Sequence, residues 1–215
     1  MEVSLNHLLA LFFSLAPRDF IQRLELAAFG SHSSAAFRQV SLFELRTAHR
    51  HDPTQPDVFL VSTDRCLSIE VKIDAKSGLE QVAKYALLHL DFALRNGIPA
   101  DGSRLIYLTP RPVSKTWKEK FPDVAAMRCA LADFYFANLL SKAKVSREIT
   151  PAGFKAAALA MPVAHLTFAD FYHLAADYAA TLPSDATPPV DTAAKLFAGL
   201  LHELSFRHTM LNLSI

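Results

Sequence analysis

The chain has 215 residues, carries 22 Lys and Arg against 21 Asp and Glu, and is 51% hydrophobic. This length suits one domain with a core of ordinary size, and the apolar fraction excludes a disordered or collagen-like chain. A formal net charge of +1 excludes a protein that binds nucleic acid through a broad positive surface. Any function involving nucleic acid therefore has to depend on a local site.

The cysteine content and the first hydrophobic segment indicate the cellular compartment in which the protein is expected. Cys66 and Cys129 lie far apart and form no CxxC pair, so we expect buried free thiols in a reducing compartment. Residues 5–16 are the most hydrophobic segment near the start, but a membrane span needs about 20 apolar residues. Their leucines repeat at helical spacing. The sequence therefore predicts an amphipathic helix in a cytoplasmic protein with no membrane partner.

The first part of the chain has the pattern of a mixed α/β unit. Helical periodicity, alternation and turn residues predict a helix, three strands, a further helix and a fourth strand. The expected elements are two helices within residues 1–30, strands at 37–46, 57–62 and 66–73, a helix at 77–95 and a strand at 104–110.

The character of the sequence changes after Trp117, where Ala, Leu and Phe recur at helical spacing. Four helices are predicted at 123–142, 151–160, 167–181 and 191–208. We therefore expect residues 1–120 to form the sheet-containing core and residues 121–215 to form a helical C-terminal extension packed on the same domain. That extension is also the expected surface for a homodimer or a partner protein.

Three polar residues of the predicted hairpin indicate chemistry. Asp57 opens the first of the two adjacent strands, and Glu70 and Lys72 lie two residues apart on the second. Side chains two apart leave the same face of a strand, so the three groups meet at one end of an otherwise apolar hairpin. Two carboxylates and a backbone carbonyl suit a hard divalent cation such as Mg²⁺. A lysine beside that cation can orient a water or help to deprotonate it.

The segment from Pro56 to Tyr85 resembles the PD-(D/E)XK nuclease superfamily. The resemblance covers residues 37–110 and depends on Pro56-Asp57, Glu70-Val71-Lys72, and Gln81 and Tyr85 on the following helix. It implies a restriction-endonuclease-like αβββαβ core, with a mixed central sheet flanked by helices. It also implies hydrolysis of phosphodiester bonds in nucleic acid, with DNA favoured over RNA as the substrate. The implied cofactor is Mg²⁺, which Mn²⁺ can replace.

The resemblance also implies roles for individual residues. Asp57 and Glu70 would bind the metal, the carbonyl of Val71 would be a further ligand, and Lys72 would position the attacking water. Gln81 and Tyr85, four residues apart on one helix face, would contact substrate, as would Lys84. Many members have an additional upstream acid near the metal. Our candidate is Glu44, with Glu2 or Glu25 as alternatives.

Several other interpretations remain open at this stage. The basic run from Arg104 to Lys120 is either a phosphate-contacting strip with Trp117 for stacking or a solubilising face. The loop histidines His49 and His51 are interpreted as surface residues. Two alternative functions also stand beside the nuclease hypothesis. One is a non-catalytic nuclease-fold module that binds nucleic acid or a protein, and the other is a helical interaction protein whose motif match is accidental.

Overall fold

A mixed five-stranded sheet flanked by helices organises the chain. The computed structural model describes residues 2–41, 44, 55–73, 75–143, 145–146, 148–183 and 190–213. The strands are β1 Arg38–Gln39, β2 Val58–Val61, β3 Cys66–Val71, β4 Ser103–Thr109 and β5 Val163–Thr167. The helices are α1 Glu2–Leu15, α2 Arg18–Phe29, α3 Leu79–Asn96, α4 Val113–Thr116, α5 Val124–Leu131, α6 Phe136–Lys142, α7 Pro151–Ala160, α8 Phe168–Ala180, α9 Val190–Phe206 and α10 His208–Leu211, with a 3₁₀ turn at Ala100–Gly102.

The strands lie in the order β1-β2-β3-β4-β5. The pairs β1–β2 and β2–β3 are antiparallel, whereas β3–β4 and β4–β5 are parallel. From α2 to β4 the elements follow the predicted order of helix, three strands, helix and strand. Only two residues of the predicted strand 37–46 are in β1, and part of that range lies outside the described residues.

The strand β5 was not predicted, and it changes the interpretation of residues 121–215. The sequence pattern predicts only helices in that range, but Val163–Thr167 pairs in parallel with β4. This segment is short, and only its first two residues are buried, so its pattern is too weak to indicate a strand. Because β4 and β5 belong to different predicted regions, those regions share one sheet.

Alternation along the strands directs side chains to the two faces of the sheet, and the buried side chains form two large clusters and a smaller one around Phe59. Ile69 and Ile106 belong to a core with α1, α2, α8 and α9. Phenylalanine rings in this core pack edge to face, as Phe12 and Phe20 do. Leu105 and Tyr107 belong to a second core, beneath α3 and α5 to α7. The sheet is therefore covered on both faces, and the hairpin carrying Asp57 and Glu70 ends between the two layers.

The prediction of two buried free thiols is confirmed for Cys66 and wrong about the burial of Cys129. Both thiols are free, and Cys66 is buried at the start of β3. Cys129, however, is exposed, because Met127 and Leu131 occupy the buried positions of α5. Among the described residues, no helix is long and apolar enough to cross a membrane.

His89 on α3 makes folding stability depend on pH. The residue is fully buried, its Nε2 lies 2.6 Å from Ser68 Oγ, and burial lowers its pKa from 6.5 to about 3. Because the folded pKa lies below the unfolded value, the unfolded chain binds the proton first as the pH falls. The stability due to neutral His89 is therefore complete above about pH 6.5 and is lost between about 6.5 and 3.

We expect urea titrations to show this loss as a decline of about 1 kcal/mol in the free energy of unfolding per pH unit within that window. The substitution His89→Gln should flatten the decline, whatever its effect on stability at neutral pH. The exposed histidine His208 provides the control, and His208→Gln should leave the slope unchanged. An identical slope in His89→Gln and the wild type would contradict this assignment.

Candidate active site

Glu70 is the centre of a hydrogen-bonded cluster at the carboxyl end of β3. Its carboxylate is 5% exposed and accepts from three side chains. Lys72 Nζ lies 2.6 Å from Oε1, Gln81 Nε2 donates to the same oxygen at 2.7 Å, and the Tyr85 hydroxyl donates to Oε2. Glu70 and Lys72 therefore lie side by side as their spacing predicts, and the packing of α3 against the end of β3 brings Gln81 and Tyr85 to the same carboxylate. The contact of Gln81 and Tyr85 with substrate stays a prediction.

Burial keeps Tyr85 in its neutral form. The pKa of its hydroxyl is raised well above the usual value, first by burial, then by the negative charge of Glu70, with a smaller contribution from Asp57. A neutral phenol is a hydrogen-bond donor, as the contact with Glu70 requires. Asp57 and Glu70 lie at the same end of the sheet, because the residues beside them, Val58 and Ile69, are paired in the antiparallel ladder.

Among the described residues, a backbone N–H and a side-chain amide donate to Asp57, immediately before β2. The backbone N–H of Val71 donates to Oδ2 at 2.8 Å, and Asn6 Nδ2 of α1 donates to Oδ1 at 2.7 Å. The next N–H along the chain, that of Lys72 just after β3, donates instead to the Leu108 carbonyl of β4 at 2.9 Å. Because successive residues of a strand direct their backbone groups to opposite sides, the carbonyl of Val71 lies on the Asp57 side.

Asn6 is a site residue that the sequence analysis missed. A carboxylate only accepts hydrogen bonds, so the amide nitrogen has to face Asp57. The amide oxygen of Asn6 is then buried and has no hydrogen-bond partner among the described residues. A cavity of about 490 Å³ opens beside this pair and is lined in part by Asn6, Asp57 and Phe59. An asparagine within an amphipathic helix carries no local signal of such a role.

The hydroxyl groups of Ser77 and Tyr107 orient Gln81. The Ser77 hydroxyl lies 3.1 Å from Gln81 Oε1 and 2.8 Å from the Tyr107 hydroxyl. Ser77 has one proton, and an amide oxygen only accepts, so Ser77 donates to Gln81 and Tyr107 donates to Ser77. This chain fixes the Gln81 amide with its nitrogen toward Glu70. The hydrogen bonds thus connect the buried core of β4 with the candidate site.

The other predicted residues lie away from this cluster or are paired elsewhere. Lys84 forms an ion pair with Glu80 at 2.6 Å, on the exposed side of α3. Glu44 forms an exposed, two-pronged ion pair with Arg38, with its closest contact at 2.9 Å. The ion pairs that Lys84 and Glu44 form among the described residues therefore include neither Asp57 nor Glu70.

The structure excludes one of the two alternative upstream acids, Glu25, and does not describe the side chain of the other, Glu2. Glu25 is wrong as a candidate, because it is fully buried and pairs with Arg65 at 2.9 Å. Arg65 precedes the first residue of β3, about 16 Å along the strand from Glu70. Glu2 is the first residue of α1, one helical turn before Asn6, and its side chain lies outside the described part of the structure. The loop histidines at 49 and 51 also lie outside the described residues.

The predicted basic run divides between the two ends of β4. Arg104 lies at the start of β4, over the Phe29 ring, at the end of the sheet opposite Glu70. Residues 113–120 lie instead against α3, because Ser77 and Trp117 form a parallel bridge. The structure excludes the alternative in which Trp117 is available for stacking. Its ring is fully buried and makes an edge contact with Tyr107 at 4.9 Å between centroids.

The donor set fits a magnesium ion in its chemistry. Asp57, Glu70 and the Val71 carbonyl offer only hard oxygen atoms, and Mg²⁺ is commonly held by one or two carboxylates together with waters. Within the described residues, no group of three or more His, Cys, Asp or Glu side chains is placed to hold a metal. A cation here would therefore depend on two carboxylates. No protein-family model, curated protein or solved structure matches this chain.

Proposed function

We propose that this chain is a metal-dependent nuclease that hydrolyses phosphodiester bonds of nucleic acid. The observation that carries the proposal is the cluster at the end of β3, where Lys72 contacts Glu70 and the neighbouring residue Val71 binds Asp57. The order of elements around this hairpin and the resemblance to the PD-(D/E)XK superfamily support the same reaction. The resemblance favours DNA over RNA as substrate.

Each residue has a defined part in the proposed reaction. Asp57, Glu70 and the Val71 carbonyl would hold Mg²⁺, which when bound lowers the pKa of a water and stabilises charge on a phosphoryl oxygen. The Lys72 ammonium, 14% exposed and fixed by Glu70, orients the attacking water. Gln81 and Tyr85 hold the Glu70 carboxylate in one orientation, as preorganised catalysis requires.

A non-catalytic module is the second candidate, and one observation favours it. Both oxygens of Glu70 and both oxygens of Asp57 already accept hydrogen bonds from the protein. A satisfied polar network can stabilise a fold without doing chemistry. In this case Lys72 would be a structural partner of Glu70. The protein would then bind nucleic acid or a protein without cleaving it.

The decisive experiment is a panel of cleavage assays. The protein is incubated with supercoiled plasmid, linear duplex, single-stranded DNA and RNA, each in Mg²⁺, Mn²⁺ and EDTA. The nuclease proposal predicts cleavage of at least one DNA substrate in Mg²⁺ or Mn²⁺ and none in EDTA. Binding without cleavage in every metal would favour the non-catalytic module.

The role of Asn6 gives a separate prediction. The substitution Asn6→Ala removes one donor that holds Asp57 and leaves the hydrogen bond from the Val71 N–H in place. Because residues that orient metal ligands affect affinity strongly, we expect the affinity for Mn²⁺ to fall about 10–100-fold. Isothermal titration calorimetry measures this change. Ser14→Ala, at an exposed position of α1, is the matched control, and equal affinities for both variants would refute the role of Asn6.

A further inference from the structure

One side of α9 presents a regular row of exposed residues. They follow one another three and four positions apart, a spacing that keeps them on a single face of the helix. We call this row the α9 stripe, and it consists of Thr192, Lys195, Gly199, His202 and Phe206. The side chain of Phe206 is 79% exposed. Covering a phenyl ring of this exposure is favourable, so the stripe offers free energy to whatever packs on it.

A groove between α9 and α1 runs beside the stripe. Its wider part is a cavity of about 720 Å³ lined in part by Leu15, Leu182 and Leu196. A cavity of about 340 Å³ continues it along α9, because Leu196 lines both. Leu11 and Leu15 of α1 border these cavities and are each 60% exposed. The exposed apolar groups are therefore contiguous, which is typical of an interaction surface.

Gly199 lies at the middle of the stripe. Glycine is a weaker helix former than alanine in the interior of a helix. A Cβ placed on Gly199 meets no atom of the described residues within 4 Å, so packing within the chain does not require glycine at this position. The missing side chain instead allows another helix to approach α9 closely at this point.

The stripe is complementary to a second copy of itself. If two antiparallel α9 helices cross at Gly199, Lys195 of one copy lies opposite Glu203 of the other, because each is four residues, or about 6 Å, from the crossing. Phe206 of one copy likewise lies opposite Thr192 of the other, about 10 Å from the crossing. Thr192 lines the larger cavity. Each exposed phenyl ring therefore reaches the apolar cavity of the other copy.

The charges along the stripe fit the same arrangement. Glu203 contacts Arg207 within its own helix at 3.4 Å, but the carboxylate side chain is the more exposed of the two, at 40% against 20%. Lys195 is exposed as well and lines both cavities. Because the two-fold arrangement brings Lys195 opposite Glu203 twice, the opposite charges select the antiparallel orientation.

We infer that two copies of this chain form a symmetric dimer through α9, antiparallel at Gly199, with the Phe206 ring of each copy in the cavity of the other. This inference does not depend on the proposed function. Both copies use the same surface, as in the two-fold dimers that are the commonest homo-oligomers. The contact lies on the face of the sheet opposite α3, since α9 packs in the core that contains Ile69.

Sedimentation velocity of the full chain at several concentrations tests the dimer. We expect a species of twice the monomer mass of 23.7 kDa. The loss of one buried aromatic anchor commonly weakens binding about 30-fold, and the dimer contains two, so Phe206→Ala should raise the dissociation constant at least about 100-fold. Tyr135→Ala is the matched control, because Tyr135 is also exposed, at 72%, but adjoins the core on the other face of the sheet. It should leave the constant unchanged.

Two further substitutions test the crossing point and the orientation. Gly199→Glu brings two bulky like charges together at the crossing and should leave only monomer, while its Cβ has room in the folded chain. Lys195→Glu and Glu203→Lys should each raise the dissociation constant about 10-fold, and the double variant should return to within about 3-fold of the wild type. Circular dichroism confirms that each variant is folded.

Three results would overturn the inference. A wild type that stays monomeric up to about 100 µM refutes the dimer and leaves the groove to a different protein. A dimer that withstands both Phe206→Ala and Gly199→Glu uses another surface. A double variant, Lys195→Glu/Glu203→Lys, that dimerises no better than the single variants refutes the antiparallel arrangement.

Discussion

Replacement of Lys72 by alanine is expected to lower the rate of DNA cleavage by about 10²- to 10⁴-fold, the range typical for loss of a group that positions or transfers a proton. The reason is geometric, because Lys72 Nζ lies 2.6 Å from Glu70 Oε1, beside the position that we propose for the attacking water. The affinity for Mn²⁺ should not fall, because lysine contributes no metal ligand. A rate measured with saturating metal therefore isolates the role of the ammonium group.

Lys76→Ala is the matched control for this prediction. Lys76 has the same charge, lies four residues further along, and is exposed, so its removal should change the rate by less than about 2-fold. Single-turnover cleavage of an end-labelled duplex gives both rates. If Lys72→Ala and Lys76→Ala cleave at the same rate, Lys72 has only a structural role.

The two carboxylates are expected to control cation binding. Asp57→Asn and Glu70→Gln each remove one negative oxygen ligand while preserving the shape of the side chain. We expect each to weaken Mn²⁺ binding by at least about 100-fold, the upper range for residues that only support a metal ligand. Isothermal titration calorimetry measures the affinity, and electron paramagnetic resonance of free Mn²⁺ provides an independent value.

Glu44→Gln shows whether the third predicted acid belongs to this site. The Glu44 carboxylate is held by Arg38 on the surface, so we expect its replacement to leave Mn²⁺ affinity unchanged. A loss as large as that of Asp57→Asn would instead place Glu44 among the ligands. Wild-type affinity in both Asp57→Asn and Glu70→Gln would refute the metal site itself.

Two pairs of residues at the candidate site could be predicted, because each pair is defined by its spacing within one strand or one helix. The spacing of Glu70 and Lys72 places both side chains on one strand face, and Gln81 and Tyr85 lie one helical turn apart. Each relation depends on the geometry of a single element. The structure shows each pair on one face of its element, and the packing of α3 against β3, which the pattern does not indicate, brings the two pairs together.

The surroundings of the site depend on contacts between distant segments, and the sequence alone does not indicate them. Asn6 reaches Asp57 only because α1 packs beside β2, and Tyr107 reaches Ser77 only through the register of β4. Trp117 lies in a charged run typical of a surface, yet the bridge to Ser77 turns its ring into the core. The strand β5 is stabilised by its neighbour β4 more than by its own pattern.

The most direct test of the central claim is a cleavage time course on metal-stripped protein. Folded protein is mixed with DNA in EDTA, and excess Mg²⁺ is then added. Our account predicts that strand cleavage starts with the addition of Mg²⁺, stops when EDTA is restored in excess, and is lost in Asp57→Asn. Cleavage that persists in EDTA or in Asp57→Asn, or intact DNA throughout with either Mg²⁺ or Mn²⁺, would contradict it.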